Sequence, residues 1–285
     1  MENMSSRKPL ILLTNDDGIF SEGIRSLEEV LPEIGEVYVV APDRERNAAS
    51  HCITLSGPIY VEPRGERRFA VSGTPTDCVN IGFHRLLPGR PDLVVSGINH
   101  GGNLSEDVTY SGTVAAALEA RLLGVPSLAL SLASRGNLCF GPAARVGLDL
   151  VRLILGRGLP PGVFLNVNVP GAMNGVPARI RWTRLGHKVY GDALRLERDQ
   201  EGRECFRYGA DPMDFRDGPD AHDTDWKAVE QGVVSVTPLR LNMTDEGFLH
   251  SLHAGVYGEA DLGQPGVCSS AKEDGAGMRP GPGDS

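Results

Sequence analysis

The chain reads as an α/β protein, a parallel sheet covered by helices on both faces, and three observations carry that reading. Short runs of mostly apolar residues recur, Leu10 to Leu13, Val37 to Val40, Leu93 to Val95, Ser127 to Leu132 and Val163 to Val169, too uniformly apolar for strands with one wet face. Segments with helical apolar spacing lie between several of them. The first three runs also end abruptly in polar loops, and open α/β sheets bind ligands at the carboxyl ends of their strands.

Leu10 to Leu13 opens the chain's core, although periodicity alone also fits a buried helical segment there. It passes through Thr14 and Asn15 into Asp16, Asp17 and Gly18. Two ionised carboxylates about 4 Å apart repel by roughly 4 kcal/mol at an effective dielectric near 20, and a divalent cation compensates that most directly. The pair reads equally as a turn and helix N-cap, with Gly18 supplying permissive backbone. Ser21 to Leu31 then carries Ile24, Leu27 and Leu31 at helical spacing, closed by Pro32 and Gly35. With Val37 to Val40 this makes a β-α-β unit, for which a right-handed crossover is expected. In the polar loop that follows, Asn47, Ser50 and His51 are the residues able to bind a ligand.

From Ile53 to Val71, β-rich runs alternate with Gly57-Pro58 and Arg64-Gly65 turns, which predicts a meander or hairpin beside the main sheet. Thr74 is an N-cap and Pro75 the first residue of a helix whose apolar face is Val79, Phe83, Leu86 and Leu87. Asp77 and His84 fall in this helix, and His84 reads as a partly exposed helical histidine.

After Leu93 to Val95 comes SGINHGGNLSEDVTYSGTVAAALEA. Gly97, Gly101 and Gly102 let backbone approach a ligand, and Asn99 and Asn103 add amides to the same loop. Ser111, Gly112 and Thr113 open an alanine-rich helix, so free N–H groups, two hydroxyls and the positive end of the helix dipole form an anion site without a lysine. An ordinary long loop and cap is the plainer alternative. The glycines match neither a P-loop nor the dinucleotide fingerprint, so neither ATPase nor dehydrogenase is supported.

Ser127 to Leu132 is a further strand, Pro142 to Leu155 an amphipathic helix, and Val163 to Val169 the expected last core strand. Arg179 to Thr183 and Glu204 to Tyr208 resemble strands of a second, less regular layer, separated by the Gly- and charge-rich stretch 186–203. His222 to Gln231 reads as a short helix and Gly232 to Leu239 as a closing strand. Beyond about Gly255 the composition predicts a disordered tail. The expected plan is a catalytic core over 1–185, an extension over 186–254 and the tail over 255–285.

The formal net charge of −9 argues against binding nucleic acid, so an anionic substrate has to be held locally, by a metal or by oriented N–H groups. Five cysteines, Cys52, Cys78, Cys139, Cys205 and Cys268, form no C-x-x-C pair and fit the reduced thiols of a cytoplasmic protein. The first apolar run is too short for a signal peptide, and the lack of an apolar run of about 18 residues argues against a membrane span.

The three loops bring Asp16, Asp17, Asn47 and Asn99 to the strand ends. Two carboxylates and two neutral oxygens suit one Mg²⁺ or Mn²⁺ and fit zinc poorly. Beside the Ser111 anion site, such a cation implies phosphoryl chemistry.

The blocks LTNDDG, VVAPDRER, SGTPTDCV, VSGINHGGN and YSGTVAAALEA, in this order, resemble those of the survival protein E (SurE) family of nucleotidases. They cover about residues 10 to 131, with looser similarity through Leu239. The resemblance implies a Rossmann-like sheet flanked by helices, with a β-rich C-terminal extension used in oligomerisation. It further implies a divalent metal, hydrolysis of nucleoside 5′- and 3′-monophosphates with short polyphosphate as a further substrate, and a homodimer or homotetramer that exchanges a C-terminal segment. By position, Asp16, Asp17 and Asn99 match metal ligands, and Asn103, Ser111, Gly112 and Thr113 match phosphate-binding residues. The remaining metal ligand is usually a serine where this chain has Asn47, with Ser50 as the alternative. Asp16 and Asp17 are the candidate catalytic residues. Asp16 is read as the acceptor of the attacking water's proton, and its direct attack on phosphorus is the alternative. A catalytically weak, metal-dependent nucleotide-binding or sensing protein is the rival function, and the Asn47 departure is its best argument.

Overall fold

The structure is a computed structural model and describes residues 7–134, 136, 138–171, 179–189, 194–208, 215–218 and 221–254. The chain divides into two units, Met1–Leu241 and Asn242–Ser285. The expected tail over 255–285 falls outside the described residues.

The first unit is built on a nine-stranded sheet. In chain order its strands are β1 (Leu10–Thr14), β2 (Glu36–Pro42), β3 (Val61–Gly65), β4 (Arg68–Val71), β5 (Leu93–His100), β6 (Ser127–Ala133), β7 (Val163–Pro170), β8 (Ile180–Trp182) and β11 (Val234–Arg240). β9 (Leu194–Arg198) and β10 (Glu204–Tyr208) form a separate antiparallel hairpin. The helices are α1 (Glu22–Val30), α2 (Pro75–Ile81), α3 (Gly112–Leu122), α4 (Phe140–Arg157) and α5 (Asp225–Glu230). In space the sheet runs β3-β4-β2-β1-β5-β6-β7-β11-β8. From β4 to β7 every neighbouring pair is parallel.

All five residues of β1 are buried, and alternation sends them to opposite faces. Ile11 and Leu13 join a core with Ile24 and Leu27 of α1 and Val151 and Ile154 of α4. Leu12 joins Val79 of α2 and Ala116 and Ala120 of α3. Helices therefore cover both faces, which is why the strand sequences show no wet side. Each fully buried leucine contributes about 1.5–3 kcal/mol. Small residues set the spacing at one point: a Cβ on Gly23 of α1 would lie 2.0 Å from the Ile98 carbonyl oxygen.

The expected hairpin after Ile53 is β3–β4, and it forms the edge of the main sheet itself, with β4 parallel to β2. Two further features differ from the sequence expectation. β7 is not the last core strand: β11 returns antiparallel beside it, carrying buried Val234 and Val236, and β8 pairs with β11. β9 lies within the charge-rich stretch expected only to separate strands.

From β1 the chain steps outward to β2 and then β4, whereas β5 falls on the other side of β1. The order reverses between β1 and β5, and the crevice at such a switch point is where open α/β sheets bind ligands.

In the second unit, α6 (Glu246–His253) begins at Asp245, whose side chain caps it by accepting the Phe248 N–H at 2.8 Å. Among the described residues no helix is long and apolar enough to cross a membrane.

Candidate active site

Asp16 and Asp17 follow β1 at the switch point. Asn15 shapes their turn, its side-chain N–H groups donating to the Gly18 carbonyl at 3.0 Å and to Ser21 Oγ at 2.8 Å. Gly18 takes φ +95°, which a β-carbon disfavours. Ser21, not either aspartate, is the N-cap residue of α1. Asp16 instead reaches α3: Thr113 N–H donates to Oδ2 at 3.0 Å and the Thr113 hydroxyl donates to Oδ1. Of the N–H groups expected to face a ligand, that of Thr113 is thus spent on Asp16, and that of Val114 on Ser111 Oγ at 3.1 Å. Gly112 makes this approach possible, since a Cβ there would lie 2.9 Å from Asp16 Cβ and 3.0 Å from Oδ2.

Asp16 is buried, and desolvation pushes its carboxyl above the usual range against the pull of the Thr113 and Gly112 groups. Asp17, its side chain 6% exposed, is pushed up to about 7 by burial first and by the Asp16 charge second, with Glu45 adding to the rise. The His100 N–H, donating to Asp17 Oδ2 at 3.2 Å, opposes that rise. Its ring Nδ1 lies 3.6 Å from Oδ1 of the same carboxylate.

β5 extends through the residues expected to be loop. A bulge between Gly97 and Asn99 shifts its register against β6, and Gly97 is required because a Cβ there would meet the Leu130 carbonyl oxygen at 2.2 Å. Half-buried Asn99 donates its side-chain N–H to the Gly101 carbonyl at 2.9 Å, which leaves the amide oxygen as the end able to act as a ligand. Asn103 is buried deeper, its side-chain N–H on Ser131 Oγ at 2.8 Å.

The loop after β2 is tied to the acidic turn by the Arg46 N–H, which donates to the Asp16 carbonyl at 2.8 Å. Asn47, next in sequence, is exposed and donates its amide to Glu45. The Ser50 hydroxyl donates to the Thr109 carbonyl at 2.7 Å. His51 pairs with Glu119 at 2.7 Å, and Asp77 completes a capping box with Thr74. His84 is exposed beside Phe83.

His100, which touches Asp17, and Glu45, which acts on it through its charge, are residues of the site that the sequence reading does not single out. His100 directly follows Asn99 at the strand's end, and that placement was the available signal. Among the described residues no cluster of three or more His, Cys, Asp or Glu could hold a metal. A cation here would therefore be held by the two carboxylates and neutral oxygens. Two adjacent buried carboxylates that each resist ionisation fit a hard divalent ion.

Residues 11–192 match the family model of survival protein SurE. A protein from Geobacter metallireducens named 5′-nucleotidase SurE is 46% identical over 257 residues, spanning 88% of this chain and 99% of that protein. One of the same name from Myxococcus xanthus is 47% identical over 87% of this chain and 94% of its own length. The crystal structure of the SurE protein from Aquifex aeolicus superposes with a TM-score of 0.77 at 40% identity, covering 86% of this chain and 99% of that one. With its acidic turn at the β1/β5 switch point and this similarity running through most of its length, the chain belongs to the survival protein SurE family.

Proposed function

We propose that this chain is a divalent-metal-dependent nucleotidase, hydrolysing nucleoside 5′- and 3′-monophosphates to nucleoside and phosphate, with short polyphosphate as a further substrate. Relatives named 5′-nucleotidase SurE, similar over nearly their whole length, support the activity. The observation that carries the assignment of the site is the buried Asp16–Asp17 pair, joined through Asp16 to the first turn of α3.

In this reading Asp16, Asp17, Asn47 and Asn99 hold one Mg²⁺ or Mn²⁺, which when bound neutralises charge on the phosphoryl oxygens. Ser111, whose oxygen already accepts from Val114, turns its hydroxyl proton toward a phosphate oxygen. Asn103, Gly112 and Thr113 are the remaining phosphate-binding residues of this reading, Gly112 and Thr113 acting by holding the Asp16 carboxyl beside the phosphate rather than by donating to it. Thr113 also fixes the orientation of Asp16, which takes the proton of the water attacking phosphorus and returns one to the nucleoside oxygen as its bond to phosphorus breaks. Phosphate monoesters hydrolyse so slowly unaided that the site has to remove roughly 20 kcal/mol of barrier, most of it by electrostatic stabilisation.

The proposal includes a cytoplasmic location, supported by the free thiols of Cys52, Cys78, Cys139 and Cys205. It also includes a homodimer or homotetramer with C-terminal exchange, in which the parts of residues 186–254 outside α5 and β11 serve as the oligomerisation extension, since β11 belongs to the core sheet. The exposed Leu194, Leu196 and Phe206 of the β9–β10 hairpin support an interface there. The exposed Asn47, bonded within its own loop, favours the second reading, nucleotide binding without turnover. Phosphate release from a panel of 5′- and 3′-nucleoside monophosphates, with and without Mg²⁺ or Mn²⁺, separates the two. Metal-dependent release that Asp17→Asn abolishes supports the nucleotidase, and saturable binding without release supports the second reading.

A further inference from the structure

Ser105 sits in the loop that joins β5 to α3, fully buried and with a left-handed backbone at φ +54°. Its N–H donates at 2.8 Å to Oδ2 of Asp225, a fully buried carboxylate 120 residues later. The other oxygen, Oδ1, accepts the N–H groups of Gly186 at 2.9 Å and Trp226 at 2.8 Å. Burial holds this carboxyl above the usual range, and those three donors, with its own backbone N–H, favour its ionised form. The metal ligands and phosphate groups described above leave Asp225 without a role.

Its neighbours explain what it does. Two residues before Ser105, the Asn103 carbonyl accepts from Asn166 at 2.9 Å and Asn168 at 3.0 Å, so β7 grips the loop from one side. Just after Ser105, Glu106 accepts the Lys188 N–H at 2.8 Å and Asp107 pairs with Lys188 Nζ at 2.7 Å. The C-terminal half of the unit thus grips the same loop from the other side, and Asp225 is the link nearest Asn103.

We propose that Asp225 is a positioning residue for phosphate binding: by holding the Ser105 N–H it sets Asn103, and the turn leading on to Ser111, in the geometry that receives a phosphate monoester. The inference rests on the phosphate-binding reading of Asn103 and Ser111. A loop residue with a left-handed backbone keeps one position only when its surroundings over-determine it, and misplacement by about 1 Å is enough to lose productive binding.

The two oxygens of Asp225 allow a selective test. In Asp225→Asn one becomes an NH₂ group. Two donors meet Oδ1 and one meets Oδ2, so the amide oxygen stays with Gly186 and Trp226 and the NH₂ faces the Ser105 N–H. The variant therefore releases the loop while keeping the C-terminal contact. With the full-length chain, Asp225→Asn is expected to raise KM for a nucleoside 5′-monophosphate about tenfold, with kcat within about threefold. By calorimetry it should weaken inorganic phosphate binding by a similar factor and leave Mn²⁺ affinity unchanged. Trp226→Leu removes the 2.9 Å bond to Asp217 and the stacking on Phe215, so it should lower the melting temperature while KM and phosphate affinity stay at wild-type values. If Asp225→Asn does not fold, Lys188→Gln loosens the same turn at Asp107 and is expected to raise KM in the same sense. Unchanged KM and phosphate affinity in the folded variant, or an equal rise in Trp226→Leu, would overturn the proposal. A wild type that binds phosphate but hydrolyses no nucleotide overturns the nucleotidase reading instead, and one that neither binds nor hydrolyses overturns both.

Discussion

Thr113 commits both its hydroxyl and its N–H to the Asp16 carboxyl, so the helix N-terminus that resembles a free anion cradle already holds a carboxyl group of the protein's own. The acid and the phosphate-binding turn are thereby one unit. Thr113→Val keeps the shape and the N–H but removes the hydroxyl, leaving Asp16 buried with one donor fewer. Phosphate release should fall about 10- to 100-fold, and thermal melts should register a loss of about 1–2 kcal/mol. Unchanged turnover would show that Asp16 needs no such orientation.

Gly112 tests the same contact from the backbone side. A methyl group there would lie 2.9 Å from Asp16 Cβ and 3.1 Å from Pro75 Cγ. Alanine is otherwise the better helix former, so propensity alone predicts a gain. The clash is expected to win, with a loss of about 1–3 kcal/mol in denaturant unfolding and activity down by more than about tenfold as Asp16 is displaced.

Asp17 gives the metal-free protein an inverted pH dependence. Its carboxyl rises from 3.8 to about 7 on folding, so between those values the native state binds the extra proton. Stability from this group is present at low pH and is lost as pH rises through about 7, by a few kcal/mol. Asp16, shifted the same way, adds to the trend. Melts of the chelated protein should therefore show stability falling between about pH 4 and 7, and Asp17→Asn should flatten the profile. Added Mn²⁺ should stabilise the wild type increasingly as pH rises, since the ion competes with the proton.

The hairpin carries a prediction about assembly. Leu196 stands opposite Phe206 in the β9–β10 register, and the two are 59% and 71% exposed. Apolar pairs of this kind on a two-stranded sheet, which is marginal alone, ask for a cover. Leu196→Glu with Phe206→Glu should lower the mass measured by light scattering while the melt of the first unit stays within about 1 kcal/mol of wild type. An unchanged mass would show that the hairpin is not an interface between copies.

The central strands were legible because burial on both faces leaves a uniform apolar run, as in Leu10 to Leu13. The position of β11 was not, since Val234 and Val236 reach the sheet by pairing with β7 across a long insertion, which no local pattern encodes. β9 did carry a signal, the Leu-Arg-Leu-Glu-Arg alternation, but glycine and charge around it dominated the reading. At the site, Asp16, Asp17 and Thr113 stood out as polar residues at strand and helix ends. Their mutual bond, spanning 97 residues, belongs to tertiary structure alone. Gly97 read as a loop residue because a bulge inside a strand and a turn both call for glycine.

Asn47 and Ser50 are separable as the residue that completes the metal site. The Ser50 hydroxyl already donates to Thr109, and its N–H donates to the Tyr110 carbonyl at 3.0 Å, so Ser50 pins the loop to the segment before α3. Asn47 follows Arg46, whose N–H holds the Asp16 carbonyl, and its exposed amide is bonded only to a neighbour in its own loop among the contacts described above. An exposed bond of that kind is cheap to exchange for a cation. Asn47→Ala should therefore weaken Mn²⁺ binding about tenfold with little change in the metal-free melt. Ser50→Ala should do the reverse, costing about 1 kcal/mol of stability and leaving Mn²⁺ affinity within about twofold. Calorimetric titration of both variants decides it. If Ser50→Ala loses the metal and Asn47→Ala keeps it, Ser50 is the ligand, its oxygen lone pairs taking the ion while its proton stays on the Thr109 carbonyl.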